Sequence, residues 1–186
     1  MRLGVLVSGR GSNLEAILAG GMEVAIVISN RAGVRALEVA AAHGVPTVVL
    51  RRSDFADAAA RDGAIASAFT EAGVELVVLA GYDQLLRPSY FAGFHGRTIN
   101  IHPSLLPAHG GAGMMGAAVH RSVLQAGDPE TGVTIHEVTP ELDAGPILAQ
   151  SRVPVRAGDD AETLAARVLL EEHRLLIETL RGLGAG

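Results

Sequence analysis

Cysteine is missing from all 186 residues, which excludes disulfides, thiolate metal sites and cysteine nucleophiles. The absence fits a reducing compartment, and the expectation is a cytoplasmic protein. No apolar run reaches membrane-spanning length. The opening MRLGVLVSG carries one arginine and a short apolar run that stops at glycine, so it reads as a first strand rather than a signal peptide. Clustered positive charge is also lacking. The formal net charge of −5 argues against a nucleic-acid surface, because phosphate-tracking proteins need grouped cations. Single arginines remain available to a small anion. Repeats, linkers and low-complexity stretches are absent. At 186 residues and 48% hydrophobic content the chain is long enough for one substantial core and short for two. The expectation is a single α/β domain over residues 1–186 acting on small molecules, without nucleic-acid or membrane partners, as a monomer or homodimer.

What is present alternates strand and helix. Leu3 to Ser8 reads as a strand, followed by Gly9-Arg10-Gly11-Ser12-Asn13 and a helix through Leu14 to Ala19. Glycines permit positive φ and close approach, Ser12 or Asn13 would cap the helix, and its first amides would face an anion. As a dinucleotide signature the turn is poor, because Leu14 occupies the third glycine position and Arg31, not an acid, follows the second strand. A monophosphate fits better, beside the alternative of a purely structural turn. Val24 to Ser29 reads as a strand, Val34 to His43 as a helix, Pro46 to Leu50 as a strand and Phe55 to Ala72 as a long helix closed by Gly73. Leu76 to Gly81 is a buried parallel strand in this reading, and Gly81 to Leu86 lines a pocket after it. A short irregular helix starts at Arg87-Pro88. Such β-α-β order implies parallel strands joined by right-handed crossovers. Asn30-Arg31 lies at the same sheet edge, as site residues or as a solvated loop. Further on come a helix over Ala117 to Ala126, alternating strands over Thr131 to Thr139 and Ile147 to Val155, and a helix over Asp160 to Leu180. Leu164, Val168, Leu169, Leu176 and Leu180 form its core face.

Chemistry concentrates in Thr98-Ile99-Asn100-Ile101-His102-Pro103-Ser104-Leu105-Leu106-Pro107. There a strand ends in an amide and an imidazole on one face, before two prolines stop regular structure. Open parallel sheets bind ligands at the carboxyl ends of their strands, although the same two residues would also serve as simple backbone caps. The glycine-dense stretch 108–116 is expected to be mobile, a lid against the site. A hairpin-like return through Pro140 to Pro146 would bring Asp143 back to the sheet edge. His102, His109, His120 and His136 lack the helical i, i+4 spacing of a zinc site, so no metal is expected. Ser104 lacks the strand-to-helix elbow of a nucleophile. An amide, an imidazole and a carboxylate suit acyl transfer without a covalent enzyme intermediate: Asn100 holding the oxyanion, His102 polarising it or moving protons, Asp143 orienting the imidazole.

Three motifs together resemble the phosphoribosylglycinamide formyltransferases, folate-dependent enzymes of purine synthesis. They are Ser8-Gly9-Arg10-Gly11-Ser12-Asn13, Asn100 through Pro107, and Glu141-Leu142-Asp143-Ala144-Gly145-Pro146. The resemblance extends through Glu171-Glu172-His173. It implies a Rossmann-like formyltransferase fold: a mostly parallel open sheet with helices on both faces and a C-terminal antiparallel strand pair. It also implies 10-formyltetrahydrofolate as formyl donor, without metal, and the amine of glycinamide ribonucleotide as acceptor. By position it assigns Asn100, His102 and Asp143 to catalysis, Gly11, Ser12 and Asn13 to the phosphate, and Glu172 to the ribose. Folate contacts fall on Tyr82, Asp83, Gln84, Leu85, Leu86, Asn100, Leu142 and Asp143. Asp83-Gln84 stands where the family usually has a hydrophobic-basic pair, and Leu169 where a glutamine is common. The Gly110 to Gly116 loop resembles a glycine-methionine variant found in a subset of members. Methionyl-tRNA formyltransferase and formyltetrahydrofolate hydrolase share the implied fold. The former usually carries a C-terminal RNA-binding domain and the latter an N-terminal regulatory domain. A nucleotide-binding regulatory module would lack a reason for all three catalytic residues.

Overall fold

The computed structural model describes residues 1–185. Its strands are β1 (Leu3–Val7), β2 (Val24–Ser29), β3 (Thr47–Val49), β4 (Leu76–Leu79), β5 (Arg97–His102), β6 (Glu130–Glu137) and β7 (Ile147–Pro154). Its helices are α1 (Ser12–Ala19), α2 (Arg35–Ala42), α3 (Ala58–Glu71), α4 (Pro88–Gly93), α5 (Ala117–Ala126) and α6 (Ala161–Gly184). The strands form a seven-stranded sheet in the order β3-β2-β1-β4-β5-β6-β7. β1 pairs in parallel with β2 and β4, and β2 with β3, while β6 and β7 are antiparallel. This is the mostly parallel sheet with an antiparallel C-terminal pair that the sequence predicts. Two compact units divide the chain within β5, one over Met1–Ile99 and one from Asn100 onward.

In the first unit every residue of β1 and β4 is buried, which explains their unbroken apolar runs: a strand covered on both faces has no polar side to alternate. α1 departs from expectation at its start. Neither Ser12 nor Asn13 caps it; both lie inside the first turn, and the N-cap is Gly11 at φ 77° without a side-chain bond. A Cβ at Gly11 would approach the Cα of Ala36 to 2.7 Å, so the turn needs glycine both for its left-handed backbone and for its contact with α2. α3 starts later than the predicted Phe55, because Arg52–Asp54 forms a 3-10 turn and the Asp57 carboxylate accepts the Ala60 amide at 2.7 Å as N-cap. α3 also buries an ion pair. Arg61 donates through Nε and Nη2 to Asp62 Oδ1 at 2.9 and 2.6 Å, while Asp62 Oδ2 accepts the Arg87 amide at 2.8 Å. Arg61 Nη1 reaches Gln84 Oε1 at 3.1 Å, so α3 holds segment 84–87 through a charge pair whose hydrogen bonds offset its desolvation.

In the second unit β6 and β7 are joined by a loop that doubles back tightly. A Cβ at Gly145 would lie 1.8 Å from the Glu137 carbonyl oxygen, and the Glu137 amide donates to the Pro146 carbonyl at 2.9 Å, so only glycine allows this return. α6 opens with a capping box in which Asp160 accepts the Thr163 amide and the Thr163 hydroxyl accepts the Asp160 amide. Its buried face is Leu164, Val168, Leu175, Leu176 and Leu180; Leu169 is only half-buried, and Leu175 takes the place in the core predicted for it. Apolar residues at these spacings cover β6, β7 and α5. Among the described residues no helix is long and apolar enough to cross a membrane.

Candidate active site

In the second unit, alternation along β5 places Asn100 and His102 on one face, and the β6–β7 loop brings Asp143 to them. Asp143 Oδ2 lies 3.9 Å from His102 Nδ1 and Oδ1 lies 3.7 Å from His136 Nε2, both beyond hydrogen-bond length. The carboxylate is instead held by the Gly111 amide, which donates to Oδ2 at 2.8 Å. His102 Nε2 donates to the His109 carbonyl at 3.0 Å, so its Nε2 proton is committed and Nδ1 is the nitrogen that faces Asp143. His136 sets the orientation of Asn100. Its Nδ1 donates to the Glu137 carbonyl at 2.9 Å, and burial, the largest effect, keeps its pKa below the ordinary histidine value despite that bond and the nearby Asp143 charge. A neutral ring protonated at Nδ1 has an accepting Nε2, and Asn100 Nδ2 donates to it at 3.0 Å. An amide nitrogen carries two hydrogens, so Asn100 Nδ2 has one besides the one that His136 accepts. Below this cluster, Thr134 and Gln150 pin the proline turn: the Thr134 hydroxyl donates to the Ser104 carbonyl at 2.7 Å, and Gln150 Nε2 donates to the Leu106 carbonyl at 2.9 Å. Ser104 is fully buried and gives its hydroxyl to the Ala108 carbonyl at 2.6 Å.

In the first unit the loops after β1, β2 and β4 meet at Asp83. Its carboxylate accepts from Ser8 Oγ at 3.0 Å and Asn30 Nδ2 at 2.7 Å and pairs with Arg31. Burial opposes the Asp83 charge, but hydrogen bonds from Asn30, Ser8 and Gln84 and the Arg31 charge together hold its pKa below the ordinary value. Tyr82 is buried, and burial pushes its phenol up to about 12. Leu86 is buried as well, whereas Leu85 is 44% exposed.

The pattern of the formyl transferase family matches residues 1–180. This chain belongs to the formyl transferase family. Phosphoribosylglycinamide formyltransferase of Escherichia coli is 39% identical over 181 residues, covering 94% of this chain and 83% of that protein. The bovine trifunctional purine biosynthetic protein adenosine-3 is 39% identical over 191 residues, and the chain spans only 18% of its length. Among solved structures, glycinamide ribonucleotide transformylase 1 of Symbiobacterium toebii is similar with a TM-score of 0.91 and 42% identity over 97% of this chain and 86% of that one.

Of the residues assigned by resemblance, the structure brings Asn100, His102 and Asp143 together, and Leu142, next to Asp143 in the chain, is 49% exposed. Glu172 is half-buried on α6, while its neighbour Glu171 bonds Ser151 and Arg174. The side chains of Asp83 and Gln84 are engaged with Arg31, Asn30 and Arg61. The sequence offers His136 only as a candidate metal ligand, whereas the structure sets it beside Asn100. Its alternation with Thr134 along β6 is the signal that points it to the same face as the pinned proline turn. Among the described residues no three His, Cys, Asp or Glu side chains are grouped to hold a metal ion.

Proposed function

We propose that this formyltransferase moves the formyl group of 10-formyltetrahydrofolate onto the amine of glycinamide ribonucleotide, a step of de novo purine synthesis in the cytoplasm. The observation that carries this reading is the cluster in which Asn100 and His102 present an amide hydrogen and an imidazole nitrogen beside the carboxylate of Asp143. The acceptor amine attacks the formyl carbon, and the carbonyl oxygen takes negative charge. The second Nδ2 hydrogen of Asn100 and a proton on His102 Nδ1 stabilise that oxyanion, the kind of preorganised donation that lowers acyl-transfer barriers most. Asp143 favours the protonated imidazole and receives the amine proton through water. The intermediate collapses as the bond from carbon to N10 breaks and N10 is protonated, leaving formylated ribonucleotide and tetrahydrofolate.

The amides at the start of α1, from Gly11 to Asn13, would take the ribonucleotide phosphate, as helix N-termini do. Glu172 would meet the ribose hydroxyls. The folate would lie along Tyr82 to Leu86, Asn100 and Leu142-Asp143. Because Asp83 and Gln84 are engaged within the protein, backbone groups and the exposed Leu85 are the available contacts there.

The test is transfer by the purified protein from 10-formyltetrahydrofolate to glycinamide ribonucleotide, before and after exhaustive chelation. Formylated ribonucleotide is expected in both cases. Formate release without acceptor, or formylation of methionyl-tRNA alone, would replace this reading with one of the other two activities of the fold. Loss on chelation that zinc restores would make the histidines metal ligands.

A further inference from the structure

We propose that His109 is a positioning residue that fixes which nitrogen of His102 does the chemistry, with Ser122 and Asp128 holding it in place. The inference rests on the role of His102 in formyl transfer given above and adds a set of residues that neither touch substrate nor carry the reaction. His109 Nε2 donates to Asp128 Oδ2 at 2.7 Å, and its Nδ1 lies 2.8 Å from the Ser122 hydroxyl. The ring is therefore tied at both ends, to α5 and to the turn that follows it. Its backbone has φ 54°, a left-handed conformation that a residue with a side chain keeps only where its surroundings over-determine it. Among the described residues the only other non-glycine with positive φ is Asp143. Strain thus sits on both sides of His102.

The carbonyl of His109 accepts the Nε2 hydrogen of His102, and two residues later the Gly111 amide donates to Asp143. One short segment, 109–111, accordingly aims both the imidazole and the carboxylate. A carbonyl accepts only from the N–H form, so His102 is held with Nε2 protonated and Nδ1 turned to Asp143. Release of the His109 ring lets the carbonyl swing away, and the neutral His102 ring then also samples the Nδ1-protonated tautomer, which has no free nitrogen facing Asp143 to take up the proton used in catalysis.

Four variants of the full chain test this: His109→Gly, Asp128→Ala, Asp128→Asn and Ser122→Ala. Glycine suits the left-handed backbone, so His109→Gly exchanges lost hydrogen bonds for relieved strain, with little expected change in melting temperature. Its kcat is expected to fall roughly tenfold, the scale of a small misplacement of a reacting group, with the acceptor KM nearly unchanged. Asp128→Ala should show a smaller loss of the same kind, and Asp128→Asn, whose side-chain carbonyl still accepts from Nε2, should recover most of it. Ser122→Ala should lie between wild type and Asp128→Ala.

A second readout needs no substrate: 15N NMR of the neutral His102 ring should report one Nε2-protonated tautomer in the wild type and a mixture in His109→Gly and Asp128→Ala. A single tautomer in those two variants together with wild-type kcat would overturn the proposal. So would a kcat loss that follows melting temperature while the tautomer stays fixed. A wild type that transfers no formyl group defeats the functional reading, and the tautomer measurement then still decides this one.

Discussion

Asp143 sits at φ 52°, where aspartate and asparagine are tolerated better than most residues, so it is a turn former as well as the carboxylate nearest His102. The two roles separate in Asp143→Asn. Asparagine keeps the left-handed turn and can still accept the Gly111 amide, so the fold and acceptor binding should be preserved. It cannot take a proton or favour a charged imidazole. We expect kcat to fall roughly 10²-fold or more, the scale of a lost acid–base group, in single-turnover transfer, with glycinamide ribonucleotide binding nearly unchanged. Near-native transfer would leave catalysis to Asn100 and His102. His136 acts at this scale too, because its accepting Nε2 decides which way the Asn100 amide is turned.

Among the elements, α1 offers the clearest probe of anion binding, and the probe is not Gly11. A branched side chain there would strike Ala36 and damage the packing of α1 on α2 whether or not a phosphate binds. Ser12, the first helical residue, is the better choice. Aspartate at that position interacts favourably with the helix dipole, so Ser12→Asp should keep the fold. It would repel a bound phosphate by about 1–4 kcal/mol at ~4 Å, and the acceptor KM should rise about tenfold or more while the folate KM stays put. Equal changes in both would remove the phosphate from α1. The same helix shows what was legible in the sequence. β1 and β4 were readable because burial on both faces leaves continuous apolar runs, and Asn100 with His102 because strand alternation needs only adjacent residues. The start of α1 differs from the sequence expectation because Ala36, on another helix, leaves room only for glycine at the cap. Pairs such as Asn100 with His136, Arg61 with Gln84, and His109 with Asp128 join positions far apart in the chain. Their partners are chosen by how loops fold back, and no local period records that.

For the whole molecule, acid stability follows from which titratable groups folding buries. His120 and His136 both have pKa values below the usual histidine value, first because burial disfavours their charged forms and also because of His102 nearby. The unfolded chain takes up these protons near pH 6.5, the ordinary histidine value, and the folded chain only at lower pH. Between those points the unfolded state binds more protons, so stability is full above about pH 6.5 and declines as the pH falls through the depressed folded values. Asp83 acts in a separate window. Its folded pKa is also depressed, so the stability it contributes is present above the ordinary carboxylate value near 4 and is lost only as the pH falls below it. The denaturation midpoint in urea should therefore descend in two steps, the first setting in below about pH 6.5 and the second below about pH 4. His120→Gln, which removes one of the two buried rings without adding a charge, should flatten the first step and leave the second. A midpoint constant from pH 8 to 5 in the wild type would mean that the folded chain protonates both rings as readily as the unfolded one, and burial would no longer account for how they titrate.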